Sequence, residues 1–147
     1  MSELHQLVRD ALDRLREERS GCFVHNAAAV ELLDHGAEAI PVIESEVLTL
    51  AAQNRRPRDL ASVMVIYSQL LRRFGFGDQG VSFLQRLPQS FREEALSGAY
   101  SAWHLHFPEP TTLPHSVCSY LEQVLATGSG EERKTAQRIL QRDENVG

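Results

Sequence analysis

The chain has 147 residues, 42% of them hydrophobic and 24% charged, with fifteen Lys plus Arg against twenty Asp plus Glu for a formal net charge of -5. That length fits one domain, able to bury about two-thirds of its unfolded surface without disulfide or metal staples, and the composition excludes a disordered chain. The acidic balance argues against a general binder of nucleic acid or anionic membrane, since such proteins rely on clustered cations.

At the N-terminus Leu4, Leu7, Val8, Ala11, Leu12 and Leu15 recur at three- and four-residue steps with charges between them, which predicts an amphipathic helix ending near Gly21. Residues 1–20 are thus expected to form an N-terminal capping helix. A second apolar run, Ala27 to Leu33, ends at His35 and Gly36, where glycine can close a helix. Ile40, Ile43, Val47 and Leu50 form the next stripe, and Pro41 fits it if it lies in the first turn, where backbone N–H groups lack an intrahelical acceptor. The pair is a helix hairpin.

Leu60, Val63, Met64, Tyr67, Leu70, Leu71 and Phe74 trace the cleanest helical face of the chain. Val81, Leu84 and Leu87 predict a short helix stopped by Pro88, and Ser90 with Glu93 has the spacing of a capping box opening the next. Phe91, Ala95, Ala99 and Trp103 share a face of that helix. Thr111 or Thr112 is then the expected N-cap of a helix with Pro114 in its first turn, carrying Leu113, Val117, Leu121, Val124 and Leu125 and closing at Gly128. Ser129 and Glu132 open a last helix with Ala136, Ile139 and Leu140 on its inner side, and residues 141–147 are expected as a flexible tail. No strand is needed anywhere.

The first helices of successive hairpins, centred near Leu33, Leu70, Trp103 and Ile139, recur at roughly 33 to 37 residues, a helical-repeat period. The stretch "LLDHGAEAIPVIESEVL" resembles one unit of the short HEAT-like repeats, with Gly36 in the turn and Ala39, Ile40, Pro41, Val42 and Ile43 opening the second helix. Where the family often has Asp-Pro after the glycine, Ala37 and Glu38 stand here, and only residues 27–50 carry the motif. The resemblance implies a single all-α domain over 1–147, with antiparallel helix hairpins stacked as a short HEAT-like α-α superhelix. It also implies recognition of another protein, not a reaction.

Candidate chemistry is thin. His104 and His106 lie two apart, which in a helix turns their rings to nearly opposite sides, and His115 adds no recognised metal-ligand spacing, so no metal or other cofactor is expected. Cys22 and Cys118 lack a CxxC partner or an activating neighbour and read as free thiols. Phosphate-loop, nucleophile-elbow and HExxH motifs are missing from the sequence. Arg55 and Arg56, with Arg72 and Arg73 beyond the following helix, are candidate contacts for phosphate or an acidic partner, as are His104 and His106 for a protein partner. A helix from about Arg58 to Arg73 is about 23 Å long, which places the two arginine pairs at opposite ends.

These residues predict a non-catalytic protein–protein interaction module, a small adaptor or subunit. One alternative is an immunity-type inhibitor whose acidic surface covers a basic enzyme. Another is an enzyme or nucleic-acid-processing protein on a helical-repeat scaffold, its arginines holding phosphate. No secretory signal or eighteen-residue apolar run is visible, so a cytoplasmic location without a membrane span is expected. The charged first helix, acting as a cap, predicts a monomer or weak dimer.

Overall fold

In a computed structural model the described residues are 2–74, 77–105 and 113–146, apart from the side chains of 73–74, 100–105 and 142–146. Helix α1 (Glu3–Leu12) leads into strands β1 (Glu17–Ser20) and β2 (Phe23–Asn26), then α2 (Ala27–Glu31), a 3-10 segment (Leu32–Glu38) and α3 (Ala39–Ala52). Helices α4 (Leu60–Phe74), α5 (Asp78–Gln85), α6 (Gln89–Leu105), α7 (His115–Thr127) and α8 (Gly130–Val146) complete the chain. The fold is mostly helical, with one small antiparallel strand pair. No helix among the described residues is long and apolar enough to cross a membrane.

The helix expected over residues 1–20 stops at Leu12, because Arg14 takes a left-handed conformation (φ 52°). Its N–H donates to the Ala11 carbonyl at 3.2 Å and that of Leu15 to Asp10 at 3.0 Å, the Schellman pattern that satisfies the last carbonyls of a helix. Helix α3 ends in the same way at Asn54 (φ 55°), with Asn54 bonded to Ala51 and Arg55 to Leu50. The absence of strands expected from the sequence is also corrected, since Glu17–Asn26 folds back on itself as a hairpin.

At Gly36 (φ 63°, ψ -142°) the backbone leaves the helical region, a conformation that side-chain-bearing residues rarely adopt, and the chain turns there from α2 towards α3. Pro41 is the third residue of α3 and costs no helical hydrogen bond. Glycine and proline therefore act together to make the first helix pair.

Helices two apart in sequence lie against one another. The α2 and 3-10 segment touches α4, α4 packs most extensively on α6, α6 touches α8, and α5 touches α7. Gly98 permits the α4–α6 approach: a Cβ there would stand 2.5 Å from the Ala61 carbonyl oxygen and 2.9 Å from Met64 Cβ. The stripe read from Leu60 to Leu71 is buried throughout, and Phe83, Phe91, Leu96 and Leu121 join it in one core. Tyr67 packs on Phe83 with ring centroids 5.1 Å apart, and its hydroxyl donates to Glu44 at 2.5 Å. Burial, then the Glu44 carboxylate, hold its phenol well above the usual range, so it stays a donor. Trp103, expected in this core, has its side chain outside the described residues.

Two further boundaries differ in detail. Helix α6 begins at Gln89, with Arg92 N–H bonded to the Pro88 carbonyl at 2.9 Å, so Ser90 lies inside the first turn rather than capping it. Pro114 is the N-cap of α7 rather than a residue of its first turn, and Thr111 and Thr112, the expected caps, lie outside the described residues. Ser129 does cap α8, its Oγ accepting from Glu132 N–H at 3.2 Å. That helix runs to Val146, into the segment expected as a tail.

Candidate interaction surface and polar cleft

The hairpin forms because Ser20-Gly21-Cys22-Phe23 supplies a two-residue loop with glycine at the first central position (φ 64°), as a type II′ turn requires. Glu17 pairs with Asn26, Glu18 with His25, Arg19 with Val24 and Ser20 with Phe23. By strand alternation Glu18, Ser20, Phe23 and His25 share one face, and Glu17, Arg19, Val24 and Asn26 the other.

The base of the hairpin is anchored by a buried polar node. Asn26 caps α2 through Ala29 N–H at 3.2 Å, and its amide donates to the Ala11 carbonyl at 2.7 Å and to Asp59 Oδ2 at 3.0 Å. Asp59 precedes α4, accepts from Ser62 N–H at 3.1 Å, and receives Arg14 Nη1 at 2.5 Å, while Asp59 N–H reaches the Leu12 carbonyl. Four segments therefore meet on two short polar side chains.

The outer half of the hairpin is different. Phe23 is 76% exposed and Val24 42%, with Leu15 at 62% and Val30 at 48% on the flanking chain. Of the large hydrophobic side chains that stand exposed among the described residues, these four fall between residues 15 and 30, and only Leu125 lies elsewhere. Part of the charge beside them is paired within the chain, Arg14 with Glu17 at 2.6 Å and Arg16 with Glu31, and the His25 ring lies within 3.6 Å of Glu18. The surface thus offers apolar contact rather than a field of one sign.

The arginines singled out from the sequence do not form one patch. Arg55 and Arg56 precede α4, and Arg72 lies in its last turn, about 18 Å along the axis from Leu60. Arg56 is bonded to Glu94 of α6 at 3.0 Å. Arg55 lines a groove of about 320 Å³ between α1 and α3 with Arg9, Asp13, Glu46 and Gln53. The side chains of Arg73 and His104, and the whole of His106, lie outside the described residues. Among those described, no three His, Cys, Asp or Glu side chains are placed to hold a metal ion.

Glu46, on the floor of that groove, is 7% exposed and accepts from His5 Nδ1 at 2.7 Å and Arg9 Nε at 2.9 Å. Burial works to raise its carboxyl, but the bonds and charges of Arg9 and His5 outweigh it and hold the group below its usual range. At Asp59 burial is likewise outweighed, by bonds from Asn26, Ser62 and Arg14. Both carboxylates are bonded within the chain and tie its elements together.

A pH dependence follows. Each group has a lower pKa folded than unfolded, so its contribution is fully present above the unfolded value, near 4, and is lost as pH falls through the folded one. Urea midpoints are expected to be flat from about pH 7 to 5 and to fall below that, with Glu46→Gln less stable at neutral pH and less sensitive to acid. An acid slope unchanged in Glu46→Gln would remove Glu46 from this role.

A second cleft, of about 370 Å³, lies among α5, α6, α7 and α8 and is lined by Gln85, Arg92, Tyr120, Gln123, Thr127 and Glu132. Glu132 is only 2% exposed and its carboxylate meets Arg92 Nη2 at 3.5 Å, while Arg92 Nη1 donates to the Leu87 carbonyl at 2.8 Å. Sequence reasoning gave Glu132 a capping role alone and missed Arg92 and Tyr120, because their meeting depends on how α6, α7 and α8 pack. The hairpin, by contrast, had a local signal in Gly21 between polar residues and Phe23-Val24.

No protein-family model, curated protein or solved structure matches the chain. The functional reading therefore rests on the geometry of the molecule.

Proposed function

We propose that the chain is a non-catalytic protein-interaction module, a small adaptor or subunit built on a short HEAT-like stack of helix pairs, whose binding element is the β1–β2 hairpin with α2. The observation that carries this reading is the gathering of exposed large hydrophobics between Leu15 and Val30 on and beside a hairpin that Asn26 and Arg14 tie to the helices. An aromatic side chain brings a large contact area with only two side-chain torsions to fix when it enters a pocket. The partner this surface fits is another protein with an apolar pocket for Phe23, since several of the adjoining charges are paired within the chain. The stack is supported by contacts between helices two apart and by the Gly36 turn with Pro41 in the first turn of α3.

A photo-crosslinking side chain at position 23 in the native cell tests the proposal. One other protein is expected to be captured, and with that protein purified, Phe23→Glu should weaken binding by roughly 30-fold or more, as loss of a central aromatic anchor does. Leu125→Glu, on α7, should leave it unchanged. No adduct, an adduct with a second copy of this chain, or equal sensitivity to Leu125→Glu would refute the assignment.

A further inference from the structure

The two edges of the β1–β2 hairpin are not alike. The two-residue loop makes Ser20 and Phe23 a hydrogen-bonded pair, and at the base Ala27 N–H donates to the Arg16 carbonyl at 3.0 Å, so Glu18 and His25 between them form another such pair. The main-chain groups of Glu17 and Arg19 on β1, and of Val24 and Asn26 on β2, therefore turn outward. On β2 the Val24 carbonyl accepts from Arg14 Nη2 at 3.4 Å. On β1 all four residues are exposed, and among the described residues nothing bonds the outward N–H and carbonyl groups of Glu17 and Arg19. An open edge of this kind is a template for another strand.

The charges along the edge select that strand. In a two-fold pairing of β1 with a second copy, outward positions must face outward positions. A register centred on residue 17 sets Glu17 on the copy's Glu17, and one centred on residue 19 sets Arg19 on the copy's Arg19, like charges that repel directly across a ladder. Centred on Glu18, each Glu17 meets an Arg19. Both can respond: Arg19 has no ion pair among the described residues, and Glu17 gives only Oε1 to Arg14. We propose that β1 is a self-association edge, pairing antiparallel with β1 of a second copy in the register centred on Glu18 to make a four-stranded sheet. The Glu17–Arg19 pairs exchange about four main-chain hydrogen bonds, and the Glu18 carboxylates facing each other on the two-fold keep the contact weak. Asn26 is buried on the face that carries Glu17 and Arg19, so Phe23, on the opposite face, points away from the helices in both copies. It stands two strand spacings, about 10 Å, from the copy's β1. The contact thus goes beyond the partner proposed for Phe23, does not depend on it, and presents that ring twice.

The test is an NMR concentration series on the isotopically labelled full chain. The amides of Glu17 and Arg19 should shift saturably, with a Kd on the order of 1 mM for so short an exposed strand. Arg19→Glu and Glu17→Arg each set like charges in register, and either alone should abolish the concentration dependence. Mixed one to one, the two variants restore both opposite-charge pairs, and the shifts should return with about the parent's Kd. Arg14 keeps Asp59 when Glu17 is replaced and Arg19 is exposed, so both variants should fold as the parent does. Glu18→Gln relieves the facing carboxylates and should tighten the dimer roughly threefold. Phe23→Glu should leave self-association unchanged, which separates this contact from the one proposed above. No concentration dependence in the parent, association that survives Arg19→Glu, or variants that stay apart when mixed would overturn the proposal.

Discussion

Asp59→Ala is expected to lower stability by about 2–4 kcal/mol. The change removes the acceptor for Ser62 N–H at the start of α4, a cap worth about 1 kcal/mol. It also takes one acceptor from the buried Asn26 amide, which keeps the Ala11 carbonyl, and releases Arg14, whose left-handed backbone ends α1. Each further bond lost adds about 0.5–1.5 kcal/mol, with the Arg14 share at the low end because that side chain is 25% exposed and keeps Glu17. For a chain of this size the melting temperature should fall by roughly 5–15 °C. Asp59→Asn keeps an acceptor for the cap and should lose about half as much. A loss below about 1 kcal/mol in urea unfolding of Asp59→Ala would show that the four segments meeting at Asn26 and Asp59 are held together by something else.

Gly98→Ala sets two effects against each other, and their magnitudes decide the sign. Alanine in a helix interior is favoured over glycine by about 1 kcal/mol. At Gly98, however, the added carbon would stand 2.5 Å from a backbone carbonyl oxygen of α4, which cannot rotate away as a side-chain tip can. Moving α6 outward disturbs the most extensive helix contact of the fold, and overpacking of this kind costs typically 1–3 kcal/mol and occasionally more. The clash should win, giving a net destabilisation of about 1–2 kcal/mol. Gly130→Ala is the control: nothing lies within 4 Å of its would-be Cβ, and stability should be unchanged or slightly raised. A more stable Gly98→Ala in the same urea series would mean that the two helices are not in this close contact.

Both predictions concern residues whose importance the sequence shows unevenly, and the reason is physical. Apolar period and helix stops are local, so the α4 stripe, the Gly36 break, Pro41 in a first turn and the Ser129 cap were all legible. The end of α1 was not. Its apolar spacing runs on to Leu15, and the residue that takes the left-handed cap is Arg14, held there by Glu17 and Asp59, where glycine or asparagine is the usual signal. Asn26 and Asp59 each stand just before a helix, which marks a cap, but nothing in the chain order shows that their side chains bond to each other across 33 positions. The cleft at Tyr120 depends in the same way on three helices meeting. Of the arginines, Arg56 finds Glu94 on another helix, a pairing that spacing along the chain cannot show.

The assignment of the hairpin as the binding element is tested most directly by amide hydrogen exchange on the purified chain, alone and with the protein captured through position 23. Slowed exchange confined to residues 15–30, with α7 and α8 unchanged, is the expected result. Protection confined to α7–α8, with the hairpin exchanging as it does in the free chain, would contradict it.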